Sequence, residues 1–298
     1  GENVAENCEI HDFNRVCTTY HPAVLFSGCG NAMRHNRIYD GPHNAILLWG
    51  NDHRIEFNEI SHMGLDTDDA AAFYMGRNPS EQGNVIRHNY FHHIGSPSAW
   101  GTSAIYPDDG SSGLTVEGNI FYRCGHDGQV CMGAVFNNGG KDHRIENNIF
   151  VDCRIAFGNM LMLAEQWLHF VRGDTPATAQ MAQRLYEEVD IRSEVYLRRY
   201  PWLAELESRP SSNIVRRNLA VRCGVLVTPE GINLFLAGDE AALRSFLAWL
   251  RADPRFASLH AKESWSETIP FARLKVKRKD EIIAFRREYA SPLDNGER

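Results

Sequence analysis

The chain has 298 residues, 43% of them apolar, and a formal net charge of −7. Its length fits one long domain or two smaller ones, and its acidic balance argues against a general nucleic-acid binder. No run approaches the roughly 20 apolar residues of a bilayer span, and no charged-then-apolar leader opens the chain.

Gly1 stands almost inside a repeat, so the chain reads as a piece lacking its first coils. The repeat is hydrophobic-x-x-Asn-x-hydrophobic. A degenerate copy is Ala5…Cys8…Ile10. Regular copies follow as Met33…Asn36…Ile38, Ile55…Asn58…Ile60, Ile86…Asn89…Phe91, Val116…Asn119…Phe121, Ile145…Asn148…Phe150 and Val215…Asn218…Ala220. Most successive copies lie roughly 22 to 31 residues apart, a period that marks a solenoid. Alternating apolar and polar residues over four to six positions read as strand. One such strand cannot bury its apolar side alone, whereas strands stacked ~4.8 Å apart close a continuous core. Asparagines in one column then hydrogen-bond along the stack. The predicted fold is all-β, a right-handed parallel β-helix.

A second strand column precedes most copies: Ala23-Val24-Leu25, Ala45-Ile46-Leu47, Ala72-Phe73-Tyr74, Ala104-Ile105-Tyr106 and Ala134-Val135-Phe136. Each ends at a turn rich in Gly, Asn or Asp. Between about 160 and 210 the pattern breaks. Leu161, Leu163, Trp167 and Phe170 recur at helical spacing, as do Met181, Leu185 and Val189. This predicts a helical insert that packs on the solenoid as a cap or wall, or covers substrate, before one more coil at Asn213.

From Gly224 the texture becomes α+β. Val225-Leu226-Val227 and Leu234-Phe235-Leu236 flank Pro229-Glu230-Gly231 and read as a hairpin. Ala241 to Leu250 reads as an amphipathic helix after Asp239, and Leu274 to Val276 as a last strand. The predicted domains are therefore 1–223, the solenoid with its insert, and 224–298, an incomplete α+β segment.

Seven cysteines show neither CxxC nor zinc-ligand spacing. Most read as small apolar residues inside the coils. The histidines, His53, His62, His92, His93, His126 and His143 among them, show no HxH or HExxH spacing and read as surface or ladder residues. No metal site or cofactor is expected, and calcium is not indicated.

The stretches "GNDHRIEFNEISH", "DDAAAFYMGR", "GNVIRHNYFHHIG" and "IYPDDGSSGLTVEGNIFYRCG" resemble bacterial parallel β-helix proteins of the carbohydrate-active, pectate-lyase-like kind. That resemblance covers about three quarters of the chain. It implies a polysaccharide substrate, an extracellular or periplasmic location and a monomer, and it leaves hydrolase, lyase and epimerase open. The tail, "GVLVTPEGINLFLAG" and "FLAWLRADPRFASLHAKESWSETIPFARLKVKRKDEII", resembles the amino-terminal domain of rhodanese-like tRNA uridine hydroxylases over roughly 224–284. That domain is a ferredoxin-like βαββαβ unit. The resemblance implies tRNA as a partner if the tail is functional. No cysteine lies after Cys223, so the tail lacks the reactive thiol that such enzymes carry in their next domain. The pairing reads as a fusion or a fragment.

Aligning the second column sets a register. Leu47, Tyr74, Tyr106 and Phe136 share one row; Trp49, Gly76, Asp108 and Asn138 share another; Gly50, Arg77, Asp109 and Gly139 share the next. Sugar hydrolysis needs two carboxyl groups roughly 5 to 9.5 Å apart. The acidic candidates are Asp66, Asp68, Asp69, Asp108 and Asp109, with Asp69, Asp109 and Asp108 assigned to acid/base work. Arg77, Trp49, Tyr74, Tyr106 and Asn138 are assigned to substrate binding. A straight strand would set Asp69 ~13 to 17 Å from Asp108, against a simple couple unless the loop from His62 to Asp68 folds back. A lyase would instead need a base near Arg77, with Tyr74, Tyr106 or His53 as candidates. Structural readings stand beside these: the tyrosines as core, Asp108-Asp109-Gly110 as a turn, Asp68-Asp69 as a loop pair, and Arg77–Asp109 as a structural ion pair. A non-catalytic glycan-binding solenoid also remains open.

Overall fold

The computed structural model describes residues 1–96, 101–125, 132–160, 162–176, 178–208 and 213–224, together with 234–235, 244–245, 247–248, 251 and 275–276. Among these residues, three parallel sheets of seven, seven and six strands run the length of the solenoid. The first sheet starts at Val4–Glu6 and ends at Ile214–Arg216; the second runs from Glu9–His11 to Leu219–Val221; the third runs from Val24–Phe26 to Phe157–Met160. Each coil adds one strand to each sheet.

The Asn phrase is not one strand, as its alternation suggested. It straddles a corner. Ile86 lies in the strand Val85–Arg87 and Phe91 in Tyr90–Ile94, with His88 between them in the left-handed region at φ 56°. Asn7, His35, Phe57, Asn147 and Arg217 occupy the same position with φ of 56° or 57°. Left-handed backbone is costly for residues with a Cβ, so something must hold each corner. The next residue does. The backbone N–H and Nδ2 of Asn58 both donate to Asn89 Oδ1 (2.9 and 2.9 Å), and Asn89 does the same to Asn119 (2.9 and 3.0 Å). The ladder continues from Asn36 to Asn58, from Asn119 to Asn148 and from Asn148 to Asn218. In the degenerate first copy the backbone N–H of Cys8 donates to Asn36 Oδ1.

A second ladder, in which His53 and His143 take the ladder alternative read for them, stands just before the first sheet. The N–H of Asn31 donates to His53 Nδ1, that of His53 to Asn84 Oδ1, that of Leu114 to His143 Nδ1 and that of His143 to Asn213 Oδ1. An imidazole Nδ1 here replaces an amide oxygen as acceptor. Inside, Phe91, Phe121 and Phe150 stack at 5.3 and 4.8 Å. Cys124, Cys153 and Cys223 are buried, whereas Cys8, Cys17 and Cys29 are exposed, so the coil-interior expectation fails for those three.

The helical insert consists of α1 (Ala164–Arg172), α2 (Ala179–Gln183), a π turn (Arg184–Glu188), α3 (Glu194–Arg199) and a 3₁₀ turn (Pro201–Glu205). Trp167, Met181 and Leu185 form its core as their spacing implied, with Phe170 and Val189 packed against it; Val171 joins them, but Leu163 is exposed. Polar contacts fasten it to the coil turns. Arg199 and Tyr200 hold Asp52 (2.9 and 2.8 Å), the Tyr196 hydroxyl bonds the Ser80 carbonyl, and Trp202 Nε1 donates to Gln82 (2.9 Å). Among the described residues no helix is long and apolar enough to cross a membrane.

In the tail, Leu234–Phe235 pairs antiparallel with Lys275–Val276. The described residues 244–245, 247–248 and 251 are helical. The first limb of the predicted hairpin, Val225 to Val227, lies outside the described residues.

Glu81 is buried, 6% exposed, on the turn beside the insert. Burial pushes its carboxyl up to about 7, against smaller pulls from the Gly50 backbone, Asn78 and Arg184. The folded state therefore keeps a proton that the unfolded chain releases near its ordinary 4.5. Stability falls as pH rises from about 4.5 through about 7. Glu81→Gln is expected to remove this slope and to add up to about 3 kcal/mol at pH ~8, measured by urea unfolding. An unchanged slope would show that Glu81 is not held protonated.

Candidate functional site

The site lies on the outer face of the third sheet, at its two longest strands, Ala70–Gly76 and Thr102–Asp108. Both strands bend. Ala72 and Phe73 are consecutive yet both enter the core, as do Ala104 and Ile105. Strict alternation would send one of each pair outward. The N–H groups of Ala104 and Ile105 both donate to the Ala134 carbonyl (2.8 and 3.1 Å), the mark of a bulge. Outside the bend, Ala71, Tyr106 and Met132 share a buried cluster with Tyr74 and Phe136 against it. Residues before and after the bend therefore meet across a fold in the surface.

The register is Leu47↔Tyr74↔Tyr106 and Gly76↔Asp108. At the far end of the bend Asp108 is the hub. Its Oδ2 accepts the Tyr74 hydroxyl (2.7 Å); its Oδ1 accepts Asn138 Nδ2 (2.9 Å) and the Asp109 N–H (2.8 Å). A Cβ on Gly76 would stand 2.8 Å from the Tyr74 hydroxyl, so glycine there leaves room for the Tyr74–Asp108 bond. Arg77 Nε meets Asp109 Oδ2 at 2.7 Å. Its side chain is 73% exposed, so this pair contributes little stability. Tyr106 is only 4% exposed and meets Tyr74 edge-on at 5.4 Å. It supports the floor and does not present a face to solvent, which corrects its assignment to substrate binding.

Asp69, Arg77 and Asp109 have φ of 50°, 67° and 45°. Strained backbone of this kind persists where surrounding structure holds it and clusters at functional positions. Asp69 immediately precedes the bent strand Ala70–Gly76. Burial pushes its carboxyl above the ordinary range, and the charges of Asp108, Asp68 and Asp109 push it further. The Tyr106 phenol is raised by burial first, then by Asp108 and also by Asp69. The Asp108 charge therefore bears on both Asp69 and Tyr106. The Tyr74 phenol is raised by burial and then by Asp108.

Trp49 is 47% exposed one coil away, after Ile46–Leu48. His53 is fully buried in the second ladder, with Nδ1 accepting from Asn31 and Nε2 donating to the Trp49 carbonyl (3.1 Å). Burial lowers its pKa. It is therefore spent on structure and is not available as a base. The sequence reading missed Tyr20, 62% exposed, which packs on His43 at 4.8 Å. It lies in an irregular segment with no repeat signal. It also missed the insert's share: Phe170 and Met162 pack against Gly110 and Gly139, just beyond Asp109 and Asn138. Among the described residues no group of three or more His, Cys, Asp or Glu is arranged to hold a metal ion.

Residues 22–165 match the model of the right handed beta helix region. The chain carries a right-handed parallel β-helix. Residues 204–282 match the UPF0176 acylphosphatase like domain. That match begins before the predicted boundary at 224, and its strands Ile214–Arg216 and Leu219–Val221 are paired into the solenoid. Curated relatives include tRNA uridine(34) hydroxylase from Xanthomonas campestris pv. campestris (strain 8004), 62% identical over 74 residues, 25% of this chain and 29% of that protein. Another from Xylella fastidiosa (strain M23) is 61% identical over 69 residues, 23% of this chain and 27% of its own. The chain thus spans under a third of these relatives. No solved structure matches the chain.

Replacing Asp108 by Asn removes a negative neighbour of Asp69. The Asp69 carboxyl is expected to titrate lower than in the wild type, though still above an exposed aspartate because burial remains. Carbon-13 carboxyl titration reads this directly. No movement would mean that the two ends of the bend do not face each other.

Proposed function

We propose that the bend on the third sheet is the active site of a glycoside hydrolase acting on polysaccharide. The observation that carries the reading is the raised carboxyl of Asp69 beside other carboxylates. Glycoside hydrolysis uses two carboxyl groups, one as acid and one as its carboxylate partner. Asp69, whose carboxyl is shifted upward by burial and by the neighbouring carboxylates, is assigned as the acid that donates to the leaving oxygen. Asp109, ion-paired with Arg77, is the carboxylate partner. Asp108 has its oxygens occupied by Tyr74, Asn138 and the Asp109 N–H, so it positions these groups. Trp49 offers an exposed ring for stacking on a sugar. A lyase driven by a tyrosine base is disfavoured, because burial and Asp108 both oppose phenolate at Tyr74 and Tyr106.

A panel of plant and algal polysaccharides identifies the substrate by reducing-end release. Asp69→Asn and Asp109→Asn are each expected to lower kcat by at least about 100-fold with little change in KM. Full turnover in both variants would remove the assignment, and binding without product in the wild type would leave a glycan-binding solenoid. Products absorbing as unsaturated uronates would convert the reading to a lyase.

We infer separately that the tail contacts tRNA. Its support is the identity with proteins named as tRNA uridine(34) hydroxylases. The inference is of binding alone. The tail carries the basic run Arg273, Lys275, Lys277, Arg278 and Lys279; the full chain is expected to bind tRNA with an affinity that falls as salt rises, and Arg273→Ala with Lys277→Ala should flatten that slope. No binding at low salt would leave the tail without this role.

A further inference from the structure

The chain is acidic, with a formal net charge of −7, yet the second sheet carries a cationic corner. Near the end of its strands runs a column of left-handed residues, Asp40, His62, His93, Arg123, Asp152 and Arg222, with φ of 50° to 54°. The register Ser61↔His92↔Tyr122 before the column and Ile94↔Cys124 after it set His62, His93 and Arg123 one above another. Asp152 and Arg222 neutralise each other at 2.5 and 2.8 Å. Among the described residues no carboxylate lies at ion-pair distance from His62, His93 or Arg123. These three meet rings instead: His62 stacks on His93 (5.3 Å, 0°), His93 meets Tyr122 edge-on at 5.2 Å, and Arg123 lies over Tyr122 at 5.1 Å. All three are exposed.

A proton relay stands behind His93. Its Nδ1 is 2.8 Å from His92 Nδ1, and His92 Nε2 is 3.2 Å from Glu59 Oε1. One Nδ1 must donate and the other accept. With both rings neutral, His92 gives its Nε2 proton to Glu59 and accepts at Nδ1, so His93 donates from Nδ1 and shows a lone pair at Nε2. One added proton on the pair puts an N–H at His93 Nε2, whichever ring carries the charge. That nitrogen makes no hydrogen bond among the described residues, so protonation turns it into an unengaged donor between His62 and Arg123. The groups facing it are Glu59 and His62 from the preceding coil, Tyr90 and His92 from its own strand, and Tyr122 and Arg123 from the next. Arg37 reaches Glu59 from one coil further back at 3.4 Å. Burial lowers the pKa of His93, and the charges of His92, His62 and Arg123 each lower it further. An anion held among these groups relieves their mutual repulsion.

We propose that His62, His93 and Arg123 form a binding site for a tetrahedral oxyanion, a sulfate or phosphate group. Successive coils stand ~4.8 Å apart, so neighbouring donors reach different oxygens of one such group. The guanidinium adds charge-assisted N–H groups in a planar fork. The site lies on the second sheet and does not depend on the saccharide reading of the third.

Histidine ring NMR of the full chain tests this, with pH titrations in sodium sulfate and in sodium chloride of equal ionic strength. Sulfate keeps its charge across the range in which imidazole titrates. The His93 midpoint is expected to lie at least about 0.5 higher in sulfate than in chloride. Arg123→Asn combined with His62→Asn should abolish that difference; asparagine tolerates the left-handed backbone at both positions. Glucose 6-sulfate and glucose 6-phosphate, run in parallel, distinguish the sources: a larger rise than with inorganic sulfate assigns the site to a sugar ester, and an equal rise to the free anion. A His93 midpoint identical in sulfate and chloride would overturn the proposal, as would a rise that persists in the double variant.

Discussion

One hydrogen-bond arrangement carries this solenoid: the amide of each corner asparagine taken up by the asparagine of the next coil. A parallel stack of short strands has to turn sharply between sheets. It does so through single residues in left-handed conformation, several of them His, Phe, Arg or Asn. Each such corner is unfavourable alone. Asn58, Asn89 and Asn119 convert it into a repeated bond, with backbone N–H and side-chain amide both donating upward and Nδ2 also reaching the carbonyl of Met33, Ile55 or Ile86. Because these groups are buried, any coil out of register would strand several donors and acceptors at once. Register is therefore enforced at the corner and inherited by the three sheets.

That inheritance builds the site. Residues about thirty positions apart become neighbours on one wall, as Arg77 and Asp109 do, and as Tyr74, Asp108 and Asn138 do across three coils. The bulge at Ala104 and the double inward step at Ala72–Phe73 then fold the wall. Only small residues fit at such a step, which accounts for alanine at positions 45, 72, 104, 134 and 156, all fully buried. The fold in the wall brings Asp69 into the electrostatic reach of Asp108 and Asp109. The helical insert borders the same end of the sheet through Phe170 and Met162. Scaffold and candidate chemistry are consequences of one stacking rule.

Much of this was legible in the sequence because the repeat is strict. The Asn column, the rows Leu47–Tyr74–Tyr106 and Gly76–Asp108, and the Arg77–Asp109 pair all follow from aligning copies. The corner inside the phrase was not, because alternation looks the same across a left-handed residue as along a strand. The bend at Ala72 was not, because a bulge leaves no mark in apolar–polar pattern beyond a run of alanines. The second ladder was hidden by chemistry: His53 and His143 do the work of asparagine through Nδ1, so a column of mixed letters conceals one function. Tyr20 lies outside any repeat, and its packing on His43 is a tertiary fact.

The most direct test is the stability of Asn89→Ala, measured by chemical denaturation against the wild type. The side chain sits mid-stack, accepts from Asn58 and donates to Asn119, Ile55 and Arg87. Its removal leaves buried partners on both sides unpaired, so a loss of at least about 2 kcal/mol is predicted. A variant within about 0.5 kcal/mol of wild type would contradict the claim that the asparagine ladder sets the register.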